Sequence, residues 1–129
     1  MPIDPEIVLT SDKNQLNDAD YIFIAVPTQS IRNLLETTDI PSSAKIISLS
    51  KGIERETHML PSQIILEATN HEESSLCALS GPSHAEEVAR GIPTTVVVAG
   101  SNMTLNRKNS MVRGDREMNY SMIINKISL

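Results

Sequence analysis

The sequence has few aromatic residues, a single cysteine and no long hydrophobic run. Its 129 residues include two Tyr, one Phe and no Trp, so a core has to be built from Ile, Leu, Val and Ala, as in buried parallel sheets. This composition favours an α/β fold over an aromatic-rich sandwich. Cys77 is the only cysteine, which excludes an internal disulfide and favours a reducing compartment.

No segment reaches the roughly 20 apolar residues of a membrane-spanning helix, and the first residues lack the basic stretch of a secretory signal. We therefore expect a cytoplasmic protein without a membrane partner. The length fits one domain. His58, His71 and His84 are widely spaced and no cysteine pair accompanies them, so we expect no metal site and three solvent-facing histidines.

The charge of the chain changes near Gly100. Residues 1–100 hold six Lys and Arg against 14 Asp and Glu, whereas residues 101–129 hold five against two. The second segment has no sustained apolar period, so we expect a divergent, poorly ordered tail over 101–129. Its basic character does not come with a recognisable nucleic-acid-binding motif, and we expect no nucleic-acid partner.

Strand-like and helix-like patterns alternate along the first hundred residues. Apolar runs predict parallel strands near residues 20–26, 45–50, 75–80 and 94–99. Apolar residues at helical spacing, and a capping box that begins at Ser83, predict helices near residues 30–37, 61–69 and 83–90. This alternation implies right-handed parallel crossovers. The predicted fold is α/β, a partial doubly wound parallel sheet of about four strands with flanking helices.

Each of the first three predicted strands ends in a polar cluster. Parallel strands bring their carboxyl ends to one sheet edge, where open α/β sheets bind ligands, so we expect Pro27, Lys51 and Gly81 to share that edge. Lys51 could hold a phosphate or polarise a carbonyl oxygen; the alternative is an ordinary surface lysine. Gly81 permits close backbone approach, and the helix start at Ser83 offers N–H groups to an anion or merely caps the helix.

Three motifs resemble those of the bacterial-type NAD(P)-dependent glycerol-3-phosphate dehydrogenases. They are ADYIFIAVP at 19–27, SKGIE at 50–54 and SGPSHAEEVARGIPT at 80–94. The resemblance extends from about Ile7 to Gly100 and implies the second half of a Rossmann-like, dinucleotide-binding domain. It also implies NAD or NADP as cofactor and reversible reduction of dihydroxyacetone phosphate to glycerol 3-phosphate for phospholipid synthesis, in a family that is often homodimeric.

The same resemblance implies roles for five residues. Lys51 would contact both the substrate and the cofactor, and Gly81 and Ser83 would line the substrate site. Ala85 would lie against the cofactor, and Ser30 would approach its nicotinamide side.

Two family features have no counterpart in this sequence. None of the five glycines forms the G-x-G-x-x-G turn that receives the pyrophosphate. The tail does not resemble the helical C-terminal domain that carries the family's general acid/base lysine, so no catalytic residue is assigned here. We expect an interior fragment that is inactive alone. The alternatives are a non-catalytic anion- or nucleotide-binding module and a structural remnant without a ligand.

Overall fold

The computed structural model describes residues 5–82, 90, 94–101 and 120–126. Five strands and two helices follow one another in the order β1 Tyr21–Ile24, α1 Thr28–Glu36, β2 Lys45–Ser48, α2 Pro61–Ala68, β3 Leu76–Ser80, β4 Thr94–Gly100 and β5 Tyr120–Lys126. Two short 3-10 turns, Lys13–Leu16 and Glu73–Ser75, precede β1 and β3. None of the helices in these ranges is long and apolar enough to cross a membrane.

The five strands form one sheet in sequence order. β1 pairs with β2 and β2 with β3 in parallel, with Ile22 opposite Ile46 and Ile47 opposite Cys77. The predicted α/β fold and the parallel pairing of the first three strands are therefore confirmed. β4 instead runs antiparallel to β3, with Leu79 opposite Val98, so the prediction of a parallel fourth strand is wrong. The β-branched run that forms β4 favours a strand but carries no information about its direction.

Both helices pack on one face of the sheet, because the buried residues of α1 and α2 share one core with residues of β1, β2 and β3. Right-handed crossovers that step in one direction place their helices on the same face. Pro27 precedes α1 with φ −53°, and this fixed φ suits a helix start. The helix therefore begins at Thr28, two residues before the predicted start. α2 begins at Pro61 as predicted, and the Gln63 side chain accepts from the Leu60 N–H at 2.9 Å.

The main core lies between the two helices and the sheet. It contains apolar side chains from β1, α1, β2, α2 and β3, namely Ile22, Ile24, Ile31, Leu35, Ala44, Ile46, Ile64, Ile65 and Leu76. A smaller cluster of Ile47, Cys77 and Val98 occupies the other face, because successive strand residues point to opposite faces. Cys77 is a free, buried cysteine.

His71 departs from the expectation of solvent exposure. Only 9% of the residue is exposed, and its Nε2 lies 3.0 Å from the carbonyl oxygen of Pro41. The segment after α2 therefore packs against the segment before β2, a long-range contact that a sequence pattern does not encode. His58 is exposed, and His84 lies outside the described residues.

Part of the predicted tail forms a strand. Tyr120–Lys126 is β5 and pairs in parallel with β4, with Ile124 opposite Val98. The sequence pattern predicts no element there, because only three consecutive apolar residues, at 122–124, mark this strand. The predicted helix near 83–90 lies, apart from Arg90, outside the described residues. The division of the chain near Gly100 stays a prediction.

Candidate functional site

The carboxyl ends of β1 and β2 are joined by side-chain hydroxyls. The Ser50 hydroxyl donates to the Val26 carbonyl oxygen at 2.6 Å. The Thr28 hydroxyl donates to the Lys51 carbonyl oxygen at 2.7 Å, and Thr28 is only 5% exposed. The polar clusters that follow these two strands therefore lie side by side, as their parallel direction predicts.

Lys51 links this pair to the end of β3. Its Nζ donates to the Gly81 carbonyl oxygen at 2.9 Å, and the lysine remains exposed. An ammonium group has three N–H donors, so it can bind a ligand oxygen while it keeps the bond to Gly81. The three strand ends are thus linked through Lys51 at the carboxyl edge of the sheet, by its carbonyl oxygen to Thr28 and by its ammonium to Gly81.

Gly52 provides the turn that follows Lys51. Its φ is +105°, a region that L residues with a side chain rarely adopt and glycine adopts readily. The chain can therefore leave β2 sharply, which leaves Lys51 at the edge and directs residues 53–59 back towards α1.

An ion pair holds this returning segment. The Arg32 guanidinium donates to both carboxylate oxygens of Glu54, at 3.2 and 2.9 Å, and to Glu67 at 3.0 Å. The Thr57 hydroxyl also donates to Glu54. The Arg32 hydrogen bonds, followed by that of Thr57, lower the pKa of Glu54 below its usual range. The hydrogen bonds to Glu54 and Glu67 raise the pKa of Arg32.

Of the remaining predicted site residues, Ser30, Ser83 and Ala85, the structure describes Ser30. Ser30 is the third residue of α1; it is exposed and its N–H donates to the Pro27 carbonyl oxygen at 2.8 Å. The α1 side chain that reaches Lys51 is Thr28 rather than Ser30. Ser83 and Ala85 lie outside the described residues. The roles of all five predicted residues in ligand binding stay predictions.

The sequence pattern assigns no site role to Thr28, Ser50, Gln29 or the Arg32–Glu54 pair. All lie in or next to the polar clusters after β1 and β2, and parallel pairing of these strands was the one signal that could have brought them together. No sequence period distinguishes a buried, paired carboxylate such as Glu54 from a solvated one.

A cavity of about 610 Å³ lies at the opposite edge of the sheet, between residues 35–42 and 68–71. It contains neither Lys51 nor Gly81. We place the site at the Lys51 edge instead, because open α/β sheets bind ligands outside the carboxyl ends of their strands. In the described part of the chain, no three His, Cys, Asp or Glu side chains group closely enough to hold a metal ion.

Parallel strands, crossover helices and polar strand ends at one edge define a Rossmann-like α/β domain of the dinucleotide-binding class. Residues 1–106 match the family described as NAD-dependent glycerol-3-phosphate dehydrogenase N-terminus. Since this match covers most of the chain, the chain belongs to that family, and the resemblance found in its motifs is confirmed.

Curated relatives bear the same name. The chain is 42% identical over 95 residues to the glycerol-3-phosphate dehydrogenase [NAD(P)+] of Corynebacterium diphtheriae, covering 72% of this chain and 29% of the relative. It is 41% identical over 106 residues to that of a Chelativorans species, covering 80% of this chain and 32% of the relative. The chain thus spans about a third of the length of these relatives.

Solved structures agree on the fold. The glycerol-3-phosphate dehydrogenase of Plasmodium falciparum superposes with a TM-score of 0.74 at 26% identity, covering 90% of this chain and 33% of that one. The enzyme of Coxiella burnetii superposes with a TM-score of 0.73 at 23% identity, covering 88% and 34%. The latter supports the fold alone.

Proposed function

We propose that this chain supplies the substrate- and cofactor-facing edge of an NAD(P)-dependent glycerol-3-phosphate dehydrogenase. The reaction is hydride transfer between NAD(P)H and dihydroxyacetone phosphate, which provides a precursor of glycerophospholipids. One observation carries the proposal: the Lys51 ammonium lies across the ends of β2 and β3, 2.9 Å from the Gly81 carbonyl oxygen, in a chain of this family. Its partner is a small molecule, and its compartment is the cytoplasm.

The residues at this edge fit an anionic ligand with a carbonyl group. The exposed Lys51 ammonium binds a phosphate oxygen or polarises the carbonyl oxygen of the substrate. The family resemblance also assigns Gly81 and Ser83 to the substrate site. The amino end of α1 lies beside Lys51 through Thr28, so the positive end of the helix dipole adds to the attraction for an anion.

NAD or NADP supplies the hydride when it is bound. Ser30, Lys51 and Ala85 are the residues that would face the cofactor. No G-x-G-x-x-G turn exists in this sequence, so we assign the pyrophosphate contacts to none of its residues.

The 129-residue chain is expected to be inactive alone. Hydride transfer to a ketone needs a proton donor within hydrogen-bond reach of the carbonyl oxygen. The family resemblance assigns this role to a lysine of the helical C-terminal domain, which residues 101–129 do not resemble. Purified chain should not oxidise NADH or NADPH in the presence of dihydroxyacetone phosphate.

A chimera tests the proposal in a complete enzyme. Residues 1–106 of this chain replace the corresponding region of the Chelativorans relative, and NADH or NADPH oxidation is followed with dihydroxyacetone phosphate. We expect turnover in the chimera and its loss by at least about a hundredfold in Lys51→Ala, a magnitude typical of groups that stabilise developing charge.

Lys45→Ala is the matched control, because Lys45 begins the same strand at the opposite edge. It should leave turnover within about a factor of two, as expected for a surface change away from the site. A chimera that melts cooperatively but has no activity would refute the proposal. So would full activity in Lys51→Ala.

A further inference from the structure

The segment that follows Lys51 is held by side chains of α1. We call residues 51–59 the Lys51 loop. Three neighbouring residues of α1 contact this loop. Thr28 contacts Lys51, and Gln29 contacts Ile53 and Arg55. Arg32 contacts Glu54. The loop is therefore attached at successive points and not only at its ends.

Gln29 uses both atoms of its amide on the loop backbone. Its Nε2 donates to the Ile53 carbonyl oxygen at 2.8 Å, and its Oε1 accepts from the Arg55 N–H at 3.1 Å. Gln29 is an exposed residue, so burial does not account for its orientation. These two bonds fix the backbone immediately beyond Gly52.

Glu54 lies between the two Gln29 contacts and points inward. It is 7% exposed, and its carboxylate is paired with Arg32, which Glu67 of α2 also binds. The Glu54 N–H donates to the Met59 carbonyl oxygen at 2.9 Å. The His58 N–H donates to the Glu54 carbonyl oxygen, also at 2.9 Å. The loop is thus closed on itself around one buried carboxylate.

The position of Lys51 depends on this attachment, because only Gly52 separates it from the held residues. Gly52 joins Lys51 to the held part of the loop with φ +105°, and glycine has more backbone freedom than any other residue. Thr28 holds the Lys51 carbonyl oxygen on one side of Gly52, and Gln29 holds residues 53 and 55 on the other. If residues 53–55 were released, the Lys51–Gly52 peptide would be held by Thr28 alone, and the Lys51 ammonium would keep its contact with Gly81 for less of the time.

We propose that Gln29 and Glu54 are positioning residues that hold the Lys51 ammonium over the end of β3. The relevance of this to catalysis rests on the proposed function. The positioning itself is a property of the chain and can be measured without a ligand.

The test is site-resolved amine labelling of the whole 129-residue chain. Wild type, Gln29→Ala and Glu54→Gln are treated briefly with acetic anhydride, and mass spectrometry gives the labelling rate of each lysine. Loss of one hydrogen-bonded contact corresponds to about a fivefold change in an equilibrium, so we expect the Lys51 rate to rise about fivefold in each variant while the Lys45 rate stays constant. Glu54→Asp, which keeps the charge, should restore part of the protection.

Gln15→Ala is the control, because Gln15 is an exposed glutamine in the turn before β1; it should leave the Lys51 rate unchanged. A Lys51 rate at the wild-type value in both variants would overturn the proposal. A rise matched by Lys45 would also overturn it, because it would show general destabilisation. The assay contains no substrate or cofactor, so its outcome is separate from that of the chimera.

Discussion

A buried carboxylate, Glu54, holds its charge because strong donors surround it. The Arg32 guanidinium binds it through two nitrogens and the Thr57 hydroxyl donates to it as well. Burial of an unpaired carboxylate costs free energy. Removal of the Arg32 side chain alone should therefore lower the free energy of unfolding more than removal of the Glu54 side chain. The charge of Glu54 is therefore part of the folded state, and this makes the stability of the chain depend on pH.

Glu54→Gln tests this dependence. The pKa of Glu54 is lowered in the folded state, so its contribution is present above the unfolded-state pKa of about 4.3 and is lost as the pH falls through the folded-state value. We expect Glu54→Gln to lower the free energy of unfolding at pH 7 and to approach the wild type at pH 3. Urea unfolding at both pH values measures this.

Glu67→Gln is the matched comparison, because Glu67 binds the same arginine with its side chain 52% exposed. Exposed ion pairs contribute little to stability, so this variant should differ less from the wild type at pH 7. A Glu54→Gln deficit that stays constant between pH 7 and pH 3 would contradict the assignment of a charged role to Glu54.

The local sequence pattern predicts both described helices and the three parallel strands β1, β2 and β3. Pro61 and the apolar spacing that follows it predicted α2 to within one residue, and unbroken apolar runs located β1 and β2. The direction of β4 and the existence of β5 could not be predicted, because strand direction depends on where the connecting chain runs. The parallel strand order predicted that Lys51 and Gly81 share one sheet edge, and their hydrogen bond agrees with this. The contacts of Gln29 and Glu54 could not be predicted, because they join α1 to a loop more than 20 residues away in the sequence.

The packing of α2 supports a prediction for the core. Ile64 is fully buried between the helices and the sheet, so Ile64→Ala should lower the free energy of unfolding by about 2–5 kcal/mol. Ile53→Ala is the control, because Ile53 is 53% exposed and its loss should cost less than about 0.5 kcal/mol. Urea denaturation compares the two, and similar costs would contradict the location of the core.

One edge of the five-stranded sheet is β1, which carries Phe23 with 48% exposure. Exposed strand edges with apolar side chains promote pairing with other chains. We expect the 129-residue chain to self-associate with increasing concentration, as light scattering coupled to size exclusion would detect.

Phe23→Lys should reduce this association, since charge on an edge strand opposes pairing. Leu60→Lys is the control, because Leu60 is similarly exposed, at 49%, but precedes α2. A wild-type chain that stays monomeric at all concentrations, with a sharp reversible melt, would show that the chain covers its own apolar surface and would favour an independent binding module.

In the proposed function, the linked strand ends bind an anionic substrate through Lys51. NMR titration of the ¹⁵N-labelled chain with dihydroxyacetone phosphate tests this binding most directly, because the method detects weak binding residue by residue. We predict saturable shifts of the Lys51, Gly52 and Gly81 amides that disappear in Lys51→Ala and persist in Lys45→Ala. Shifts that are absent at these amides, or unchanged in Lys51→Ala, would refute substrate binding at Lys51.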